Sequence, residues 1–481
     1  MTFSFVWTVA ILLFGVLVSR NLKQMFLFQI SFLFILEFGG ITSTALFIGK
    51  QELNCSDLPL AAAAITSIAC LIRGGEVDRH IMHRVSALVV LLLCCVAFNM
   101  VLPYEGVTVG TSGSWDNFYF GFEPMTHVGL SLHSILILLR LSIWLLLLCA
   151  AGKLLKETDY LLIARRTIAF NKIQIIWGVL EFISKNLFAS TVMTSIALKV
   201  FPAASSVYTE LNIRGGLASL QGFTREPSHF ALALFFFLMI ELLLFRKGEY
   251  RRKDSGWCAI AGVLLIVSGA FTAIVGIAIL IFYAILLLWE RKQELWRHDR
   301  KLKLAVIIGA VAVCAAVLIG GPYLMRHLGG SYYISKLQNV LMNLKPLLER
   351  DYANLGGVSD ALPRMISIVD CLYVFFSRPL FGVGPGVVNP FSGVVATLAN
   401  YGLLVTIAWG SLVRCYSEKF SQKTGSWLFL LFVVMTGLIM LDGSFTYSVY
   451  WILFAGLFGG KKDSSGQLGT GTLMAAAGVR E

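Results

Sequence analysis

The sequence contains few charged residues. Of its 481 residues, 14% are charged and 57% are hydrophobic, and the mean hydropathy is +0.79. A soluble domain carries roughly 25% charged residues and about half apolar residues. An excess of apolar residues of this size needs lipid as its solvent. The composition therefore excludes a soluble enzyme and a disordered chain, and it predicts a membrane protein.

Signals for metals and nucleotides are also missing. None of the 9 cysteines and 7 histidines shows the spacing of a metal site. The glycine run at 382–386 has no strand before it and no suitable helix after it, so it is not a dinucleotide fingerprint. We therefore expect no metal and no cofactor.

Long apolar stretches dominate the chain instead. A bilayer span needs about 20 mostly apolar residues. Candidate spans lie near 3–19, 24–49, 59–72, 85–103, 132–151, 173–195, 228–245, 256–269, 270–289, 304–324, 391–413, 427–441 and 444–459. We predict an all-α, polytopic integral membrane bundle of about 11–14 transmembrane helices. It forms one transmembrane domain over residues 1–460, followed by a disordered cytoplasmic tail at 461–481.

The basic residues that give the chain its net charge of +12 indicate how the chain is oriented in the membrane. With the N-terminus outside, the segments on the other side hold 27 of the 39 Lys and Arg residues, as expected for cytoplasmic loops. The predicted topology has the N-terminus out and the C-terminus in. The basic balance therefore indicates a lipid bilayer as partner and no nucleic acid.

Three outer segments are too long to be simple turns. They lie near 104–131, 196–227 and 325–390, and they are rich in aromatic and apolar residues. Long connections inside a compact domain are commonly functional. We predict that two or three of them are ordered periplasmic loops.

The second outer segment ends in residues 222–231, Gly-Phe-Thr-Arg-Glu-Pro-Ser-His-Phe-Ala, and runs directly into a span. Pro227 is tolerated at a helix start, where free N–H groups and the positive end of the dipole favour anions. Arg225 and the preceding Arg214 add positive charge. The alternative is that Arg225 and Glu226 form an interfacial ion pair that anchors the helix.

The third outer segment carries Arg364 and Arg378 at the two ends of a helix predicted over 363–377. A Pro-Leu-Phe-Gly-Val-Gly-Pro-Gly run follows at 379–386. Non-helical backbone at the membrane face survives only when it is buried in protein or lines a wet cavity. This run predicts a tight turn built on Gly382, Gly384 and Gly386.

Four further charges that fall inside predicted spans are informative. Arg140 lies near the middle of its span, where an ionised side chain costs roughly 2.5–3.5 kcal/mol, so we expect it to face the bundle. Glu37 in the second span is its candidate partner. Glu181 and Lys185 are four residues apart on one helix and are expected to pair with each other.

Arginines beside a carboxylate and an imidazole at the outer face suit an anionic head group. The arginine fork binds phosphate oxygens bidentately, and it would stabilise the charge that develops on a leaving diphosphate during sugar transfer. Glu226 and His229 are both candidates for removing the proton of the acceptor hydroxyl. Without a nucleotide motif, an activated lipid donor is favoured over a nucleotide sugar.

Taken together, these features resemble the bacterial O-antigen polymerases, over roughly residues 170–440. The resemblance rests on residues 222–231 at the start of a span, on the paired spans at 256–289 separated by Ser268 and Gly269, and on Arg364 leading to 379–386. An Asn-Tyr-Gly-Leu-Leu run at 400–404 lies in the following span.

This resemblance implies an inverting glycosyltransferase in the bacterial inner membrane, with a periplasmic active site. It would polymerise undecaprenyl-diphosphate-linked oligosaccharide repeat units, and a chain-length regulator and a flippase are further expected partners. Glu226 and His229 would be catalytic. The residues expected to bind diphosphate are Arg225, Arg364, Arg214 and Arg378.

The sequence departs from the family pattern in two places. The turn after Ser268 lacks the arginine often found there. The stretch after Gly386 lacks the histidine typical of the related O-antigen ligases, which favours a polymerase. A ligase, another lipid-linked glycan transferase, and a transporter or flippase of lipid-linked oligosaccharide remain the alternatives.

Overall fold

The computed structural model describes most of the chain. The described residues are 3–39, 44–48, 51–73, 78–105, 130, 132–201, 211, 213–214, 217–224, 226–295, 338–356, 362–388, 390, 392–420, 423–439 and 448–458. The predicted span at 304–324, most of the loop at 104–131, and the tail predicted at 461–481 lie outside them.

Helices make up nearly all of this part of the chain. They are α1 (Phe3–Val18), α2 (Leu22–Phe38), α3 (Asp57–Ile72), α4 (Arg79–Val101), α5 (Leu132–Leu154), α6 (Glu157–Leu187), α7 (Val192–Val200), α8 (Pro227–Arg246), α9 (Ser255–Val267), α10 (Phe271–Leu295), α11 (Leu344–Leu348), α12 (Leu362–Ser377), α13 (Gly393–Glu418), α14 (Lys423–Ile439) and α15 (Ser448–Phe458). Short 3₁₀ turns lie at Arg252–Asp254 and Tyr352–Asn354.

Two antiparallel hairpins interrupt the helices. One pairs β1 (Thr44–Ile48) with β2 (Gln51–Asn54), and the other pairs β3 (Ile213–Arg214) with β4 (Leu217–Ala218). The first hairpin corrects the span predicted at 24–49, because α2 already ends at Phe38. Thr, Ile and Phe favour strands, so the apolar composition of 44–48 does not distinguish a strand from a membrane helix.

The length and apolar composition of several helices suggest a membrane protein. Four of them, Arg79–Val101, Ser134–Leu154, Pro227–Arg246 and Gly393–Glu418, are long and apolar enough to cross a bilayer, and four shorter apolar helices accompany them within the described residues. Large apolar side chains such as Leu17, Ile72 and Val263 are exposed on the outside of the bundle. An apolar surface of this kind suits lipid contact.

Helix α8 forms the centre of the bundle. It packs against α2, α6, α9, α10 and α15, and its Phe235, Phe236 and Phe237 are fully buried. A helix that is apolar on all sides belongs inside a large core. This helix is therefore packed against several neighbours, and its N-terminal end carries the motif at 222–231.

Helix α13 is broken at Gly402, where φ is 71° and ψ is −177°. The run at 379–386 fills the break. Val383 N donates to the carbonyl of Ala399 at 3.0 Å, and Leu403 N donates to the carbonyl of Pro379 at 2.7 Å. The three turn glycines have positive φ angles of 60°, 110° and 64° at Gly382, Gly384 and Gly386.

The side chain of Asn400 secures the same junction. Its Nδ2 donates to the carbonyl of Val388 at 2.7 Å, and its Oδ1 accepts from Val388 N at 2.9 Å. Every backbone group at membrane depth needs a partner. The glycine turn supplies such partners to the broken helix. These hydrogen bonds require the backbones of 379–386 and α13 to approach closely.

We predict that Gly402→Ala is more damaging than Gly248→Ala. Both glycines have positive φ angles, of 71° and 75°, and a residue with a Cβ in such a sparsely populated backbone region costs roughly 1–3 kcal/mol. A Cβ at Gly402 would also lie 2.3 Å from the Leu380 carbonyl oxygen, whereas a Cβ at Gly248 meets nothing within 4 Å.

Thermal unfolding of both purified variants in detergent tests this prediction. Overlap in a packed site adds roughly 1–3 kcal/mol, so Gly402→Ala should unfold at the lower temperature. Equal losses for the two variants would contradict the close contact between the turn and α13.

Candidate functional site

The motif at 222–231 forms the start of α8. Glu226 is the N-cap residue, with extended backbone at φ −154° and ψ 161°, and Pro227 follows at the first helical position. The Glu226 carbonyl accepts from His229 N at 3.1 Å and from Phe230 N at 3.2 Å. This geometry places the Glu226 side chain at the positive end of the helix dipole.

His229 lies one turn into α8, beside this carboxylate. Its Nδ1 is 3.1 Å from Glu226 Oε1, and the exposed fractions of the two side chains are 12% and 27%. A carboxylate beside Nδ1 fixes the orientation of the ring and leaves Nε2 as the nitrogen that faces away from the pair. The two residues form a carboxylate–imidazole pair at the end of the central helix.

The positive charge of Arg364, in the first turn of α12, also acts on the Glu226 carboxyl. Burial alone would raise the pKa of the Glu226 carboxyl, but the neighbouring His229, Ser228 and Arg364 outweigh burial and lower the pKa to about 2. Glu226 is therefore ionised at every physiological pH. A carboxylate with so low a pKa is a weak base near neutral pH.

A buried ion pair on α6 holds the backbone that precedes the motif. Lys185 Nζ lies 2.7 Å from Glu181 Oε1, and both side chains are almost completely buried. The predicted pairing is confirmed. Glu181 also accepts from Gly222 N at 2.7 Å and from Gln221 N at 3.2 Å, while Lys185 donates to the Ser219 carbonyl at 3.0 Å.

Gln174 extends this attachment by one more residue. Its Oε1 accepts from Phe223 N at 3.1 Å, and its Nε2 donates to the Gly39 carbonyl at 3.1 Å. Gly222, with φ at 60°, passes so close to Phe230 that a Cβ would lie 2.7 Å from that ring. Residues 219–223 are thus fixed by side chains of α6 before the chain turns into α8.

A second buried carboxylate positions α12. Asp370 Oδ1 accepts from Arg350 Nε at 2.6 Å and from the Tyr352 hydroxyl at 2.5 Å. The apolar face of α12, including Ile366 and Val374, packs on the N-terminal half of α13. It also packs on Val383, which lies between two of the turn glycines. The helix that carries Arg364 is therefore attached both to the 344–356 segment and to the glycine turn.

The remaining predicted site residues are placed differently. Arg225 lies outside the described residues. Arg214 pairs through its backbone with Leu217 in the β3–β4 hairpin, and its side chain is outside the described part. Arg378 donates to Asn99 Oδ1 at 3.0 Å and to the carbonyls of Leu102 and Pro103 at 2.6 and 2.7 Å.

These contacts give Arg378 a structural role. Its guanidinium satisfies carbonyls at the C-terminal end of α4, which are free in any helix, and it lies over the rings of Phe98 and Tyr104, 5.4 Å from each centroid.

Arg140 pairs with Asp57 at the start of α3. Its Nη2 lies 2.6 Å from Asp57 Oδ1, so the partner proposed for it, Glu37, was wrong. The sequence could not distinguish the two carboxylates, since the choice depends on how α3 packs on α5.

Sequence reasoning missed Gln174 and Asp370. A signal for the first was present: Thr167, Asn171, Gln174, Gly178, Glu181 and Lys185 recur at three- and four-residue intervals. Such residues share one face of a helix, and all of them are buried in α6. A polar stripe on a helix otherwise surrounded by apolar residues indicates that this face meets other polar groups.

The start of α8 carries a carboxylate–imidazole pair, and the charge of Arg364 on α12 acts on its carboxylate. This arrangement can bind an anionic group through Arg364 and accept a proton at His229. Among the described residues, no group of three His, Cys, Asp or Glu side chains is arranged to hold a metal ion. Comparisons with family models and with curated proteins find no match to this chain.

We predict that Glu181→Gln destabilises the protein far more than Glu418→Gln. Both variants break an i,i+4 pair, but Glu181 and Lys185 are buried, whereas Arg414 and Glu418 are about one-third exposed. Loss of one partner from a buried pair costs roughly 3–5 kcal/mol, against about 0.3–0.5 kcal/mol for an exposed helical pair.

Thermal unfolding measures the cost, and hydrogen exchange at residues 219–223 measures the local effect. Exchange there should rise in Glu181→Gln and stay unchanged in Glu418→Gln. Similar melting temperatures for the two variants would show that the buried pair does not hold this segment.

The low pKa of Glu226 predicts a contribution to stability that depends on pH. The folded-state pKa of about 2 lies below the ordinary Glu value of about 4.3. The carboxylate therefore stabilises the fold fully above pH 4.3, and this contribution is lost as the pH falls toward 2. The difference in melting temperature between the wild type and Glu226→Gln should shrink over that interval.

Glu349→Gln is the matched control, because its carboxylate is 59% exposed and its ion pair with Lys345 spans 4.0 Å. Its melting temperature should stay close to that of the wild type at each pH. A Glu226→Gln difference that does not change between pH 6 and pH 3 would overturn the assignment of a stabilised carboxylate.

Proposed function

We propose that this protein is a periplasm-facing, inverting glycosyltransferase of the bacterial inner membrane. It polymerises oligosaccharide repeat units carried on undecaprenyl diphosphate into O-antigen or a similar surface polysaccharide. The observation that carries the proposal is the Glu226–His229 pair at the start of α8, whose carboxyl pKa is lowered by His229 and by the charge of Arg364. Residues of two separate motifs, at the start of α8 and at the start of α12, thus act on one carboxylate.

The proposed orientation follows the distribution of basic residues. The N-terminus lies outside and the C-terminus in the cytoplasm, so that the start of α8 and the glycine turn lie at the outer face. An anionic lipid head group is held at that level by its own membrane anchor. The proposal then assigns Arg364 to the diphosphate of a lipid-linked sugar.

In the proposed reaction the acceptor sugar hydroxyl attacks the anomeric carbon of the donor glycan. The new glycosidic C–O bond forms as the bond from the anomeric carbon to the diphosphate oxygen breaks, and the diphosphate leaves with the electron pair. A single displacement of this kind inverts the configuration. Arg364 stabilises the charge that develops on the leaving group.

The hydroxyl proton passes to His229 Nε2. Glu226, on the Nδ1 side at 3.1 Å, orients the ring and stabilises the imidazolium that forms, as a carboxylate does in other acid–base pairs. Of the two candidates for the base, the low pKa of Glu226 favours His229. The Arg378 contacts with the end of α4 support Arg364 as the arginine that binds diphosphate.

Polymerisation by the purified protein tests the proposal. Full-length protein in detergent, given lipid-diphosphate-linked repeat units, should produce a ladder of longer glycans on a gel. Arg364→Ala should lower the rate by about 10²–10³, as for loss of a group that stabilises transition-state charge. His229→Ala should lower it by about 10²–10⁴, as for loss of a general base.

Lys345→Ala is the matched control, because Lys345 is a cation of the same outer segment and is 83% exposed. Its rate should equal that of the wild type. Full activity in both Arg364→Ala and His229→Ala would overturn the proposed site. Movement of the lipid-linked repeat unit across the membrane of sealed vesicles, with no glycan ladder in detergent, would favour a flippase, because transport needs a membrane and polymerisation does not.

A further inference from the structure

Helices α4 and α13 pack side by side, and both are long and apolar enough to cross a bilayer. Near the start of α4 and the end of α13, Arg84 donates to the Ser411 hydroxyl. Farther along both helices, the Cys95 thiol lies 3.8 Å from the Asn400 carbonyl oxygen. The two helices therefore run in opposite directions, and depth in the bundle can be measured along either of them from the same charged end.

The glycine turn at 379–386 meets this helix pair well inside its membrane-spanning part. The Cys95 thiol donates to the Phe381 carbonyl at 2.9 Å, and Cys95 is about 24 Å of helix from the start of α4. Gly402, whose break the turn fills, is also about 24 Å from the end of α13. A hydrocarbon layer is about 30 Å thick, and the charged ends of both helices belong outside it. Both helices therefore place the turn within the hydrocarbon.

The chain on both sides of the turn has the composition of a segment in lipid. Residues 379–413 contain no charged side chain, and none lies between Asp370 and Arg378. Arg378 itself directs its guanidinium to the carbonyls of Leu102 and Pro103, beyond the end of α4. A long basic side chain near a membrane boundary extends its charged end outward in this way.

The outward side of α12 and of the turn is apolar. Phe376 is 71% exposed, and Leu380, which follows in the turn, is 54% exposed. Tyr373, one helical turn before Phe376, is also exposed, and its hydroxyl donates to the Leu348 carbonyl at 2.6 Å. A helix that lies in water presents polar residues on its outer side. We call these three side chains, Tyr373, Phe376 and Leu380, the outer face of α12.

This face is continuous with the exposed apolar sides of the two spanning helices. Leu404 N donates to the Leu380 carbonyl at 3.4 Å, and Leu404 and Ile407 are exposed on α13. At the end of α4, which Arg378 contacts, Met100 is exposed. Helices that cross a bilayer have acyl chains around them at this depth, so the same surroundings cover the outer face of α12.

We propose that α12 is a re-entrant helix whose outer face contacts the acyl chains of the outer leaflet. The turn at 379–386 is its deepest part, where backbone groups pair with α4 and α13, as irregular backbone at membrane depth requires. Tyr373 lies nearer to the membrane surface, where an aromatic ring with a hydroxyl is favoured. Neither the depth of the turn nor the exposed face depends on the proposed enzymatic function, and the predicted topology only identifies the leaflet.

Photocrosslinking of the full-length protein in phospholipid vesicles tests the proposal. The photoreactive amino acid p-benzoylphenylalanine replaces Phe376 and, in separate proteins, Ile407 and Lys253. After irradiation, mass spectrometry should find a phospholipid adduct at position 376, attached through the acyl chain, as at position 407 on α13. Position 253, exposed in the charged run before α9, should give no acyl-chain adduct.

The other outcomes at position 376 would each overturn the proposal. A crosslinked dimer would make the face an interface between copies of the chain, and a crosslink to another segment of the same chain would show that the protein covers it. Attachment through the head group alone would place α12 on the membrane surface. No adduct at 376, with an adduct at 407, would remove lipid from this face.

A second measurement uses the unmodified protein and decides the matter if the variant at 376 does not fold. Phospholipids that carry a diazirine on the acyl chain should label the segment 372–381 together with α4 and α13. Labelling of α4 and α13 without this segment would overturn the proposal.

Discussion

The buried ion pair between Glu181 and Lys185 is the constraint on which the candidate site depends. Two charges in an apolar bundle are stable only when every polar atom is satisfied. Here the unused acceptors and donors are satisfied by the backbone of 219–222. The ion pair and the 219–222 segment therefore stabilise each other. Because this segment leads directly into α8, the start of α8 is held in place as well.

The same logic applies on the other side of the site. Helix α13 would leave carbonyls and N–H groups unpaired at Gly402, and the run at 379–386 supplies partners for them. The turn needs glycines because its backbone approaches the Ala399 carbonyl so closely that a Cβ on Gly382 would lie 2.4 Å away. Helix α12 ends just before this turn. The hydrogen bonds between the turn and α13 therefore help to position α12, which carries Arg364.

The sequence predicted local features well and contacts between distant elements poorly. The helix expected over 363–377 is observed as Leu362–Ser377, because its apolar periodicity is decisive. The Glu181–Lys185 pair followed from spacing alone. The partner of Arg140 and the role of Arg378 could not follow, since both depend on which helix ends meet. The β1–β2 hairpin was not predicted, because apolar and β-branched residues are equally compatible with a strand and with a membrane span.

The position of the candidate site at a helix start suits the lipid-linked substrate that we propose. Such a substrate has an anionic head and an apolar tail, so its binding site needs positive charge next to an apolar wall. Helix α8 is buried by apolar neighbours along most of its length, and the charge of Arg364 acts on the carboxylate at its positive dipole end. Charge placed deeper in the bundle would pay a desolvation cost, and charge placed farther out would be screened by salt. The end of α8 is therefore where an ionised Glu226 and the diphosphate of the proposed substrate could both be held.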